Sequence, residues 1–177
     1  MAVHFSGFPR ALTPRALRPG RWFVPAGPVT QLCLMTGIGE GPAAATLCFS
    51  LGRLDALDFR PRPLSTLSEP FQSVEDDIVF SPGDGAAVQL FPAHHGPYAS
   101  GSLLRLSNGD IGIGFAERLH ARVVTLSLTT GLPAEGVDLV FERWALMMRR
   151  GGVETLLGRF RPDVQGWRPT EAQGVQS

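Results

Sequence analysis

Apolar and polar residues alternate with a period of two in short bursts along this chain, and Gly, Pro or Ser ends nearly every burst. That alternation sends successive side chains to opposite faces of an extended backbone, so it predicts strands. Residues 21–24 form a first short run, closed by Pro25, Gly27 and Pro28. Residues 29–36 (VTQLCLMT) place Val29, Gln31, Cys33 and Met35 on one face. A glycine-rich turn at 37–42 separates them from the apolar run 44–51, and the two runs read as a hairpin or as adjacent strands. Residues 54–59 are a further strand candidate; Pro61, Pro63, Ser65, Ser68 and Pro70 then make a long irregular connection.

The strand signal strengthens after residue 76. Runs at 77–80 and 86–91 flank the turn Ser81-Pro82-Gly83-Asp84-Gly85, and a loop follows at 92–101. The clearest local structure is a β-hairpin joining 103–106 to 111–115 through Ser107-Asn108-Gly109-Asp110, because Asn-Gly supplies the backbone angles of a tight, right-twisting turn. Gly112 and Gly114 leave one face of its second strand bare, which suits close packing or an approaching ligand. Residues 122–128 alternate with β-branched side chains and form another strand. The longest apolar run, 137–148, admits two readings. Val137, Val140, Phe141, Trp144 and Met148 fall at helical spacing with Gly151 as a cap. The favoured reading is a strand that turns at Arg150-Gly151-Gly152 and returns through 155–160, because the flanking segments are β-like.

Composition agrees with this pattern. In 177 residues, 44% are apolar and 18% charged, and 21 Gly with 15 Pro demand many reversals rather than long helices. The expected fold is all-β, a β-sandwich or jelly-roll with long loops, filling 21–161. A basic N-terminal arm at 1–20, punctuated by Pro9, Pro14, Pro19 and Gly20, and a loose polar tail at 162–177 complete the chain. All 16 basic residues are arginine, which fits a GC-rich bacterial or phage genome. No acidic residue precedes Glu40, so the arm is suited to docking on another subunit or an acidic partner. The formal net charge of zero argues against nucleic acid as a partner, despite Arg149-Arg150, Arg159 and Arg161 near Trp144 and Phe160. No stretch is apolar for the ~18 residues that a membrane-spanning helix requires. Pro9, Arg10, Pro14, Arg15 and Arg18 break up any signal-peptide core, so synthesis without export by the usual signal is expected.

Candidate chemistry is sparse. No nucleophile elbow, zinc-protease or phosphate-loop signature occurs, so no catalytic residue, metal site or cofactor is assigned. Gly37-Ile38-Gly39-Glu40-Gly41-Pro42 lacks the Lys-Ser/Thr of a phosphate loop and reads as a plain turn. Cys33 and Cys48 sit in apolar runs without metal-ligand spacing; two buried free thiols are the simplest reading, and a disulfide requires their strands to pair. Glu75, Asp76 and Asp77 precede a strand and suit a charged edge that resists pairing with another chain. In the 92–101 loop, His94, His95 and Tyr98 (the only tyrosine) are the candidate binding residues, since polar and aromatic loop tips contact sugars or protein surfaces.

Two resemblances follow from the strand order. Arg18-Pro19-Gly20-Arg21-Trp22-Phe23-Val24-Pro25, Ala45-Thr46-Leu47-Cys48-Phe49, Leu54-Asp55-Ala56-Leu57-Asp58-Phe59 and Val88-Gln89-Leu90-Phe91 come first. The Gly96-Pro97 loop, Gly101-Ser102-Leu103-Leu104, Leu126-Ser127-Leu128 and Leu132-Pro133 continue the series. Together they resemble β-sandwich modules of tail-fibre, spike and related virion proteins of bacteriophages and gene transfer agents. That resemblance implies a non-enzymatic structural or surface-recognition subunit of a virion-like or oligomeric assembly, with other subunits or cell-surface glycan as partners. Separately, Gly83-Asp84, Val88-Gln89-Leu90, Gly101-Ser102-Leu103-Leu104-Arg105 and Ile111-Gly112-Ile113-Gly114-Phe115 resemble the closing strands of PilZ domains. The binding motifs of that family are not matched. No RxxxR stands upstream of residue 83, Arg118 and Arg122 come too late, and Cys48-Phe49-Ser50-Leu51-Gly52 departs from the second motif. This alternative therefore implies a degenerate regulatory module with weakened or absent cyclic-dinucleotide binding.

Overall fold

A computed structural model of the chain describes residues 11–27, 31–51, 57–74, 76–82, 88–90, 98, 100–117 and 122–160. It is an all-β protein whose strands lie in three antiparallel sheets. In chain order the strands are β1 (Ala11–Leu12), β2 (Trp22–Pro25), β3 (Gln31–Met35), β4 (Ala45–Leu51), β5 (Leu57–Pro63), β6 (Phe71–Ser73) and β7 (Asp77–Pro82). They continue with β8 (Val88–Leu90), β9 (Leu103–Leu106), β10 (Ile111–Glu117), β11 (Arg122–Ser127), β12 (Val137–Phe141), β13 (Trp144–Arg150) and β14 (Val153–Phe160). Among the described residues, helical structure is confined to three-residue 3-10 turns such as Pro14–Ala16 and Leu64–Thr66, and no helix is long and apolar enough to cross a membrane.

The largest sheet has six strands in the order β1-β6-β2-β3-β4-β5. One face carries Leu32, Leu34, Leu47, Phe49, Leu57 and Phe59, which join the main core. Across from them stand two smaller sheets, β11-β10-β9-β12-β8 and β14-β13-β7. The first contributes Leu103, Ile113, Phe115, Leu126 and Leu128; the second contributes Trp144, Leu146, Met148, Leu157 and Phe160. Aromatic rings knit the layers together: Phe49 lies 6.3 Å from Trp144 and from Phe80, and Trp22 lies 5.9 Å from Phe80. Trp144 stacks on Phe160 with centroids 5.3 Å apart, and its buried Nε1–H donates to the Gly101 carbonyl at 2.8 Å. An indole can be buried this deeply only when its N–H has an acceptor.

Each of the two larger sheets is also covered on its outer face by its own chain. Residues 11–20, the second half of the segment expected as an arm, run along the six-stranded sheet: β1 pairs with β6 and Leu17 is buried. Leu17 packs with Leu64 and Leu67 over Phe23, Cys33, Met35, Cys48 and Phe71, so this sheet is buried on both sides. That explains the unbroken apolar run of β3, whose last four residues are all buried. The irregular connection expected at 61–70 starts inside β5, where Pro61 and Pro63 lie on an edge strand, the place a sheet tolerates a residue without an N–H. On the outer face of the five-stranded sheet, Leu104, Leu106 and Val140 are buried, with Tyr98 and Ala134 from outside the strands and Val137 of β12 packed against them.

The run 137–148 is strand rather than helix, but it breaks at Glu142–Arg143 and its halves enter different sheets. The turn at Gly151-Gly152 then joins β13 to β14, with Arg150 opposite Val153. The Asn108-Gly109 turn is one residue wider than a two-residue loop. Gly109 N–H donates to Leu106 C=O and Leu106 N–H to Asp110 C=O, with Gly109 at φ +84, the three-residue form of the hairpin.

Candidate functional site

Of the candidate binding residues, His94 and His95 lie outside the described residues and Tyr98 lies on the outer face of the five-stranded sheet. The bare strand face made by Gly112 and Gly114 is filled from above. A Cβ on Gly114 would fall 2.6 Å from the Tyr98 ring, and one on Gly112 would fall 3.0 Å from Leu106. The Tyr98 hydroxyl is hydrogen-bonded to the Thr125 hydroxyl on the neighbouring strand. Tyr98 is therefore half-buried and ties the end of the 92–101 loop to the sheet through both its ring and its hydroxyl. Arg118 and the Gly83-Asp84 pair lie outside the described residues as well.

A polar cluster that the sequence pattern did not single out surrounds the turn after β9. Asp110 accepts hydrogen bonds from the Ile111 N–H at 2.9 Å and from the hydroxyls of Ser127 and Thr129. Its own N–H donates to Asn108 Oδ1, and the Ser107 hydroxyl donates to Asp138. Burial works against the Asp110 charge, but the Ser127 and Thr129 hydroxyls and the Ile111 N–H outweigh it and hold the carboxyl below its ordinary value. Because the folded group titrates below its unfolded counterpart (about 3.9), its stabilisation is fully present above that value. It is lost as pH falls through the folded pKa. Asp110→Asn is expected to cost about 1–2 kcal/mol at pH 7, the worth of charge-assisted hydrogen bonds at a half-exposed site. Urea midpoints of the two proteins should converge as pH is taken down through the folded pKa of Asp110; a gap independent of pH would show that the charge is not what the hydroxyls recognise.

Some of the remaining described charges pair with one another, Arg60 Nε with Asp58 Oδ2 at 2.8 Å among them. Arg149 Nη2 lies 2.5 Å from Glu154 Oε1, and Arg150 Nε lies 2.7 Å from Asp76 Oδ1. Asp77 opens β7, an edge strand, where a charge discourages pairing with another chain. The Gly37–Pro42 segment is a turn tied down by its own backbone: Gly37 N–H donates to Gly131 C=O and Ala45 N–H to Ile38 C=O. Among the described residues, no group of three or more His, Cys, Asp or Glu side chains gathers to hold a metal ion.

The chemically distinctive pair is Cys33 and Cys48. They stand directly opposite each other on β3 and β4, buried on the outer face of the six-stranded sheet, with sulfurs 3.0 Å apart. Cys33 donates its S–H to Cys48, and that bond together with burial pushes the Cys33 thiol up. The same bond, aided against burial by the Thr46 hydroxyl and the Arg62 charge, pulls Cys48 down. The sequence signal for this pairing was the hairpin reading of 29–36 and 44–51; the residue-by-residue register was missing. Comparison with known proteins returns no matching family model, no similar curated protein and no similar solved structure, which leaves the chain's own geometry to carry its interpretation.

Proposed function

We propose that this chain is a non-enzymatic structural or surface-recognition subunit of an oligomeric, virion-like assembly. The observation that supports this most is the three-stranded sheet. The outer faces of the other two sheets are covered by their own chain, whereas this one presents Val79, Ala145 and Met147 half-buried and Leu156 38% exposed on the side away from the core. Its edge strand β14 also carries Val153 at 68% exposure. The occupant that fits is a second copy of the chain. An antiparallel strand edge is self-complementary under a two-fold axis, Arg149 and Arg150 at its turn end are already paired with Glu154 and Asp76, and zero net charge leaves no long-range repulsion between copies. Recognition of a glycan or another surface belongs in this proposal to the 92–101 loop, with His94 and His95 as contacts and Tyr98 as the anchor.

Sedimentation over a wide concentration range is expected to show a defined multimer, and Val153→Lys/Leu156→Lys to shift it to monomer with an unchanged circular dichroism spectrum. A chain that stays monomeric at the highest concentration overturns the assembly. For the loop, a glycan array should lose signal with His94→Ala/His95→Ala, which leaves the Tyr98 anchor in place; retained binding removes those residues from the recognition surface.

A further inference from the structure

We propose that Cys33 and Cys48 form an oxidisable dithiol that closes to a cross-strand disulfide when the folded protein meets a peroxide. The backbone pattern favours it. Met35 N–H donates to Arg21 C=O on the β2 side, and Thr36 N–H donates to Ala45 C=O on the β4 side. Backbone groups of successive residues in a strand point to alternate neighbours, so Cys33, in phase with Met35, directs its own groups to β2. Cys33 and Cys48 are therefore a non-hydrogen-bonded pair, the position where opposite α-carbons come closest, at about 4.5 Å. That spacing lies within the range a disulfide spans. The sulfurs already point at each other across 3.0 Å, so bond formation needs no change of strand register.

The surroundings assign the roles. Cys48 has the Thr46 hydroxyl 3.5 Å away and Arg62 on the next strand, both of which favour its thiolate. Cys48 thiolate attacks one peroxide oxygen; the O–O bond breaks, one water leaves, and a sulfenic acid remains. Cys33 sulfur then attacks the sulfenic sulfur, the S–S bond forms, and the second oxygen departs as water with the remaining proton. Two thiol protons and two electrons are thus transferred, and one peroxide becomes two waters. Leu17, Leu64 and Leu67 roof the pair, so the oxidant must be small and neutral, as hydrogen peroxide is. The bond would tie the two strands that flank the Gly37–Ala44 connection.

The test uses the full chain, reduced and then freed of reductant. It is treated natively with hydrogen peroxide, quenched with catalase, and denatured in the presence of N-ethylmaleimide before intact mass is recorded. The expected product is monomeric, lighter by two hydrogen atoms, free of maleimide, and returned to a doubly alkylated species by dithiothreitol. Two maleimide adducts after peroxide treatment, a gain of oxygen atoms at the thiols, or a disulfide between chains would each overturn the proposal. Cys33→Ser should stop at a sulfenic acid that dimedone traps on Cys48, and Cys48→Ser should leave Cys33 unmodified under the same exposure. The wild-type mass decides the question even where a variant fails to fold.

Discussion

Gly131→Ala should lose about 3–4 kcal/mol of stability, enough to leave a marginal domain largely unfolded on warming. Three backbone segments converge at this glycine. A Cβ there would lie 2.3 Å from Gly20 N and 2.4 Å from the Met35 carbonyl oxygen, and neither atom belongs to a flexible side chain. The accommodation must break the hydrogen bonds that join the segments, Gly37 N–H to Gly131 C=O at 2.7 Å and Gly20 N–H to Met35 C=O at 2.9 Å. Gly109→Ala supplies the control. Gly109 has the same kind of backbone angle, φ +84 against +68, but nothing within 4 Å of its missing Cβ. Its substitution should cost only the backbone term, about 1 kcal/mol. Urea unfolding followed by circular dichroism measures both. Equal losses would mean that the close approach of the three segments contributes nothing.

Trp144→Ala is expected to remove about 3–5 kcal/mol, the range for deleting a large buried aromatic side chain. Trp144 is the widest bridge in the core, touching Phe49 from the six-stranded sheet, Phe80 from β7 and Phe160 from β14. Its indole N–H also holds the Gly101 carbonyl at the entrance to β9, so the loss reaches the five-stranded sheet as well. Trp144→Phe separates the two contributions. It keeps most of the aromatic contact and takes the donor from a buried carbonyl, which should cost about 1–3 kcal/mol. Calorimetric or denaturant unfolding of the pair tests this. A Trp144→Ala protein within 1 kcal/mol of wild type, about the scatter of surface substitutions, would contradict the placement of this ring at the junction of the sheets.

Much of the strand inventory could be read directly. The runs around Ile111 and Val124 alternate, those around Cys33 and Cys48 are short and apolar, and the turns between them carry Gly, Pro or Asn, so both the strands and several of their boundaries were legible. The two-residue β1 and three-residue β6 were not, because segments that short hold no full period of alternation. The break at Glu142–Arg143 was hidden for the opposite reason: apolar residues continue on both sides of it. Of the candidate site, the turn chemistry around Asn108-Gly109 placed Asp110 at the end of a hairpin turn, but its partners Ser127 and Thr129 come from the far end of another strand, and no local pattern joined them.

Period-two alternation is a local property, and it settled that this chain builds its interior from strands; which face of a doubly buried strand such as β3 meets the main core was left to the tertiary structure. Backbone hydrogen bonding is the same for every residue, so no local pattern names a strand's partner. β12 and β13 look alike in sequence yet join different sheets, and residues 1–20 read as a basic arm, yet Ala11–Leu12 pair with β6 and Leu17 is buried on the same sheet. Those choices, and the meeting of Cys33 with Cys48, were made by packing. Leu17, Leu64 and Leu67 have apolar surface to bury, and the outer face of the six-stranded sheet is where the folded chain lets them bury it.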